Sequence, residues 1–142
     1  MLKQHIQRQK YVKLIILTSL ALLLFSCAHG KTKDFPEPAD LSDAAEVYVF
    51  RDNTLFGWGF SLKVSLDNQV IAALRRGEYV SFFVEPGFHS LGITKSTITV
   101  PFQKEKKYYF LISPDYSQFG FDIERLDDSK AEYWLANTER IN

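Results

Sequence analysis

The sequence predicts an all-β protein, an antiparallel β-sandwich of about seven or eight strands with one short C-terminal helix. Three observations predict it. From Glu46 onward, short β-forming runs follow one another at intervals of roughly eight to twelve residues, with turn residues and no helical period between them. The chain holds 12 Phe and 7 Tyr, and each buried ring removes about 150–250 Å² from water, so a core without disulfides is feasible. Only the tail changes to helical spacing.

The elements follow in order. Val47-Tyr48-Val49-Phe50 is a dense β-forming run, ended by Arg51-Asp52-Asn53. Ser61 to Leu66 alternates, placing Leu62, Val64 and Leu66 on one face. Asp67-Asn68 supplies a hairpin turn, since both residues tolerate left-handed backbone, and Gln69 to Leu74 returns. After a reversal at Arg75-Arg76-Gly77-Glu78, Tyr79 to Val84 is apolar on both faces, which predicts a central strand. Pro86-Gly87 breaks it. Phe88 to Ile93 and Thr97 to Phe102 are further strands, and Pro101 marks an edge or an end. Tyr108 to Ile112 and Phe119 to Ile123 complete the set. Ser129-Lys130-Ala131-Glu132 has capping-box spacing, with Ala131, Trp134, Leu135 and Thr138 at helical intervals, so a short helix docked by Trp134 and Leu135 is expected.

Ahead of these elements stands a different kind of segment. Lys3, Arg8, Lys10 and Lys13 occur with no acidic residue, and an apolar run from Leu14 to Phe25 follows. A helix of those dozen residues is roughly 18 Å long, against a bilayer core of about 30 Å. It is too short for a comfortable span and fits a secretory leader. The run ends in Leu24-Phe25-Ser26-Cys27, which holds the single cysteine of the chain. This resembles the lipobox of bacterial lipoproteins, with leucine three places and a small residue one place before the cysteine. The resemblance implies diacylglyceryl transfer to the Cys27 thiol, cleavage after Ser26 and acylation of the freed amine. Each buried CH₂ contributes about 0.8 kcal/mol, so one chain holds marginally and two or three hold durably. Ala28 after the cysteine resembles lipoproteins exported to the outer membrane, facing the periplasm.

Domain organisation follows: residues 1–26 as signal peptide, 27–44 as lipidated N-terminus and flexible tether carrying Pro36 and Pro38, and 45–142 as the sandwich. Without residues 1–26, 13 basic side chains face 17 acidic ones, a net charge of −4 on 116 residues. That is one domain's length, and the charge gives no footprint for nucleic acid. Lys104, Lys106 and Lys107, interrupted by Glu105, read as a solvated turn.

Val47-Tyr48-Val49-Phe50-Arg51, Val64-Ser65-Leu66-Asp67, Gly77-Glu78-Tyr79, Val84-Glu85-Pro86-Gly87-Phe88-His89 and Lys107-Tyr108-Tyr109 occur in this order. The set resembles bacterial envelope lipoproteins with the domain of unknown function DUF2846, over roughly Ala45 to Leu126. The Pro-Gly-x-His turn is similar also to sandwich modules of the PEGA type. Lys107 stands where the family carries glycine. The resemblance implies a fold and an envelope location, and no activity.

Signals for chemistry are sparse. His89 is the single histidine of the sandwich region and has no second His or Cys to form a metal set, so no metal and no cofactor are expected. A turn-stabilising hydrogen bond is the simpler role for it. The alternative is an envelope hydrolase or transferase, using His89 with Asp67, Glu85 or Glu124. Asp67 belongs to a hairpin tip for backbone reasons. Asp127 and Asp128 suit the positive end of the helix. No nucleophile elbow, phosphate loop or zinc signature is present. The binding candidate is Leu55-Phe56-Gly57-Trp58-Gly59-Phe60. Its rings are expected to close one end of the core, with Phe56, Trp58 and Phe60 as an exposed platform for a sugar ring or partner protein in the other case. The overall expectation is a non-enzymatic binding or structural module, held to the membrane by acyl chains on Cys27, with an envelope protein or polysaccharide as partner.

Overall fold

The computed structural model describes residues 30–33 and 35–141. The leader and Cys27 lie outside the described residues. Strands form at β1 (Lys31–Thr32), β2 (Ala45–Arg51), β3 (Leu62–Leu66), β4 (Gln69–Leu74), β5 (Glu78–Val84), β6 (Gly87–Ile93), β7 (Ser96–Phe102), β8 (Lys107–Asp115) and β9 (Gly120–Leu126). Helix α1 (Asp128–Asn137) and a short β10 (Glu139–Arg140) follow. One sheet has the order β1-β4-β3-β6-β7 and the other β10-β5-β2-β8-β9. The fold is the all-β sandwich the strand spacing predicts, with its helix at the C-terminal end.

Alternation builds the core. Leu62, Val64 and Leu66 of β3 are buried and Lys63 is exposed. They meet Val47 and Val49 of β2 and Phe110 and Ile112 of β8 between the sheets. The opposite face of β2 is covered as well. Phe50 packs with Leu111, Leu126, Tyr79, Tyr109 and Trp134 in a second cluster under α1. β2 is thus buried on both faces and is the centre of its sheet. The β3–β4 turn has φ of 49° at Asp67 and 66° at Asn68, the left-handed pair of a type I′ hairpin. Pro101 is in β7, the edge of its sheet, where a missing N–H costs no ladder bond.

Several expectations are corrected. β5 is not central: beyond it lies only the two-residue β10, and Phe83 is exposed. One sheet is mixed, because β2 pairs with β8, and β5 with β10, in parallel, while the β1-β4-β3-β6-β7 sheet is antiparallel throughout. The N-cap lies two residues before the expected Ser129: Asp127 caps the helix, accepting from the Lys130 N–H at 2.9 Å. Ala131 and Trp134 dock it, while Leu135 stays exposed.

The stretch expected to be a flexible tether is bound to the sandwich from Gly30. β1 adds to β4 antiparallel, with Lys31 opposite Ala73. The Gly30 N–H donates to Glu78 at 2.9 Å, and the Lys33 N–H to the Ile71 carbonyl at 2.9 Å. Phe35 stacks on Phe82 with centroids 5.8 Å apart. An edge strand and a stacked ring hold this segment, as its prolines could not.

Strand direction sorts the loops into two ends. Residues 52–61, 75–77, 94–95 and 116–119 gather where β2 and β8 finish. Residues 67–68, 85–86 and 103–106 gather at the other.

Candidate functional site

At the first end, the chain between β2 and β3 is organised by one side chain. Arg51 is fully buried. Its Nη1 donates to the carbonyls of Phe60 and Leu74, each at 2.8 Å, and Nη2 donates to that of Gly57 at 3.0 Å. A planar, permanently charged fork is suited to three converging carbonyls, which a lysine could not span. The guanidinium also lies 5.6 Å from the Phe60 ring centre and 5.4 Å from that of Phe121, within cation–π range. Burial lowers the Arg51 pKa, countered by the charges of Asp52 and Glu78. Burial raises the carboxyl of the neighbouring Asp52, against hydrogen bonds from Thr54 and the charge of Arg51.

With the loop's carbonyls turned inward onto Arg51, its apolar side chains point out. Leu55 is 74% exposed, Trp58 71% and Phe60 55%. Core closure by these rings is therefore corrected for Trp58 and Phe60, and Phe56 is half-buried. Phe56 lies 5.6 Å from Tyr116 and 5.4 Å from Phe121, and Phe60 meets Phe121 edge-on at 6.1 Å. Gly57 has φ +72°, and a Cβ there would stand 2.7 Å from Phe121 Cζ. Glycine at this position is a requirement of packing and of backbone alike.

Two clefts flank the loop. One, of about 640 Å³, lies between Phe56, Phe60, Phe119 and Phe121, with Lys95 and Asp122 at its polar side. The other, of about 360 Å³, runs between Trp58, Arg75, Arg76 and Glu139. Both fall in the volume range of small-ligand sites, the first with aromatic walls and polar groups along one side, the second lined largely by charged side chains and glycines. Phe119, 87% exposed, completes a rim of rings on this end.

The second end holds His89. Its Nδ1 is 2.6 Å from Asp67 Oδ2, and its Nε2 is 2.9 Å from the Glu85 carbonyl oxygen. Both ring nitrogens thus face oxygens of the neighbouring turns. The other Asp67 oxygen accepts from the Ser90 N–H at 2.8 Å. Burial pulls the Asp67 carboxyl up, but the His89 and Ser90 hydrogen bonds outweigh it and the pKa is lowered. Of the three carboxylates considered for His89, Asp67 is brought to it. Glu85 offers its backbone oxygen while its carboxylate accepts from the Ala39 N–H, and Glu124 lies on β9 in the other sheet. Among the described residues no three His, Cys, Asp or Glu converge as a metal site. Lys104 pairs with Asp43 at 3.5 Å and Lys107 with Glu46 at 3.0 Å.

Arg51 is the site residue that motif reasoning passes over, as a strand-ending polar residue. The signal was present: Val47, Val49 and Arg51 share one face of β2, and that face is the core.

Compared with protein-family models, curated proteins and solved structures, the chain finds no match.

Proposed function

We propose that this chain is a lipid-anchored protein of a bacterial envelope, held through Cys27, whose sandwich is a non-enzymatic binding or structural module. The anchor rests on the leader and its Leu24-Phe25-Ser26-Cys27 ending rather than on the DUF2846 resemblance. No helix among the described residues is long and apolar enough to cross a membrane. With Ala28 following the cysteine, the outer membrane, periplasmic face, is the proposed location.

One observation carries the binding role: exposed rings at Leu55–Phe60 stand on a loop fixed from beneath by the buried Arg51. Rigid apolar groups held in water cost little further ordering when a partner covers them. Loss of binding in Trp58→Ala at unchanged thermal stability is the expected outcome, measured with envelope fractions; a large drop in melting temperature would return Trp58 to a core role.

The enzyme reading draws on the His89–Asp67 contact of 2.6 Å. The engagement of Nε2 by the Glu85 carbonyl favours a turn clasp instead. The test is hydrolysis of envelope glycan or ester substrates, where His89→Gln would be indistinguishable from the parent under the module reading.

A further inference from the structure

We propose that the surface met by the aromatic end is the interfacial layer of the bilayer into which Cys27 is anchored, with Leu55 and Trp58 seated among the lipid headgroups. The inference rests on the lipid-anchor reading and names the partner of the same loop.

The argument is one of reach and direction. β1 runs antiparallel to β4, with Lys31 opposite Ala73 and Thr32 opposite Ala72. Followed backward from Lys31, the chain therefore leaves past Leu74 toward Arg75. Gly30 is fixed at that point: its N–H donates to Glu78 Oε1 at 2.9 Å, while Glu78 Oε2 takes the Arg75 N–H at 2.7 Å. From Gly30 to Cys27 is a step of three residues, which spans at most about 11 Å however it is arranged. A seven-residue strand is about 23 Å long. An anchor at Cys27 therefore stays within reach of the end that carries loops 52–61 and 75–77, and the proposal turns that end, not the His89 end, toward the membrane.

That end has the side chains an interface takes. Leu55 and Trp58 are exposed, with no ring partner among the described residues, and Arg75 and Arg76 flank Trp58 along the second cleft. Amphipathic rings favour the headgroup level, and guanidinium groups pair with phosphates there. The charges are mixed: Arg75, Arg76 and Lys95 stand with Asp115, Asp122 and Glu139 on this end. Contact is then driven by acyl chains and apolar side chains, with little dependence on salt. Neither the acyl chains nor the loop holds the domain as firmly alone as both do together, because the anchor makes the loop's insertion intramolecular.

The test uses the full product purified from membranes and reconstituted in phosphatidylethanolamine–phosphatidylglycerol vesicles. In a Trp134→Phe background, Trp58 is the single tryptophan. Its emission is expected to shift to the blue on reconstitution and to be quenched by lipids brominated near the headgroup, at low and at high salt alike. The reciprocal Trp58→Phe protein, reporting from Trp134 on α1, is expected to show neither change. Intact mass is read on the same samples. If Cys27 carries its acyl chains and Trp58 stays quenched by aqueous iodide, the membrane contact is overturned and the anchor stands. Protection of Trp58 by added peptidoglycan fragments or a protein, and not by lipid, overturns it in favour of those partners. An unacylated Cys27 overturns both.

Discussion

The two ends of this sandwich solve the same problem in opposite ways. At the His89 end, turns 67–68 and 85–86 are tied by polar side chains, with Asp67, His89 and Ser90 bonded to one another at the surface. At the aromatic end the polar tie is inside: Arg51 takes three carbonyls in the core, and the rings are left outside. The first arrangement stabilises a turn, with the ring of Phe88 exposed beside it. The second puts a charge in the interior, which is costly; the three carbonyls offset that cost in part, while Arg51 Nε has no hydrogen-bond partner among the described residues, and the arrangement fixes a solvent-facing apolar loop. Exposed rings at this end support the proposal that it is an interaction surface.

The largest expected effect breaks the interior tie. Arg51→Met leaves the carbonyls of Gly57, Phe60 and Leu74 without their donor, and unsatisfied buried acceptors cost about 1–3 kcal/mol each. Urea unfolding is expected to show a loss of roughly 3 kcal/mol or more, and Arg51→Lys to recover only part of it. A variant as stable as the parent would mean that the loop does not depend on Arg51.

Next comes the glycine beneath the rings. Gly57→Val places a side chain at φ +72° and a Cβ 2.7 Å from Phe121 Cζ and 2.9 Å from Phe60 Cζ. The expected loss is about 1–3 kcal/mol, the range for a non-glycine residue held left-handed, together with a changed near-ultraviolet aromatic spectrum. Gly59→Ala shares the backbone strain, with φ +113°, but not the clash, since nothing lies within 4 Å of a Cβ there, so it is expected to lose stability without the spectral change.

At the opposite end, Asp67→Asn is expected to cost no more than about 1 kcal/mol, as for other solvent-screened pairs. The sign with pH is defined. A carboxyl whose folded pKa lies below its unfolded value stabilises fully above the unfolded value, ordinarily near 4, and loses that contribution as pH falls through the lowered one. The stability gap between parent and Asp67→Asn should therefore hold at neutral pH and close in acid. A gap that widened toward acid would contradict the pairing.

The smallest effect on stability sharpens the comparison most. Trp58→Ala is expected to change unfolding free energy by no more than about 0.5 kcal/mol, the ordinary range for an exposed position, while removing surface contact. The matching change in the core, Phe110→Ala, is expected to cost about 3–5 kcal/mol.

What could be read from the residues depended on how local its cause was. The Asp67-Asn68 hairpin and the edge position of Pro101 are set by backbone chemistry within a few residues, and both are found. The parallel pairing of β2 with β8 joins Val47 to Tyr108 across the chain, and no local pattern encodes it. The docking of β1 is similar, since Lys31-Thr32 has no strand signature until Ala72 and Ala73 supply the edge. At the site, the ring-rich loop was legible as a candidate, but its outward direction was not. That direction depends on Arg51, whose burial was signalled by the alternation of Val47 and Val49 and masked by its place beside Asp52-Asn53.

The membrane contact proposed for the aromatic end depends on the proposed anchor at Cys27. Intact-mass and N-terminal fragment spectra of the product extracted from its own membranes give the most direct test. A polypeptide beginning at Cys27, bearing a diacylglyceryl thioether and an acylated amine, is the predicted result. A free thiol at position 27, or a chain that still carries Met1, would contradict it.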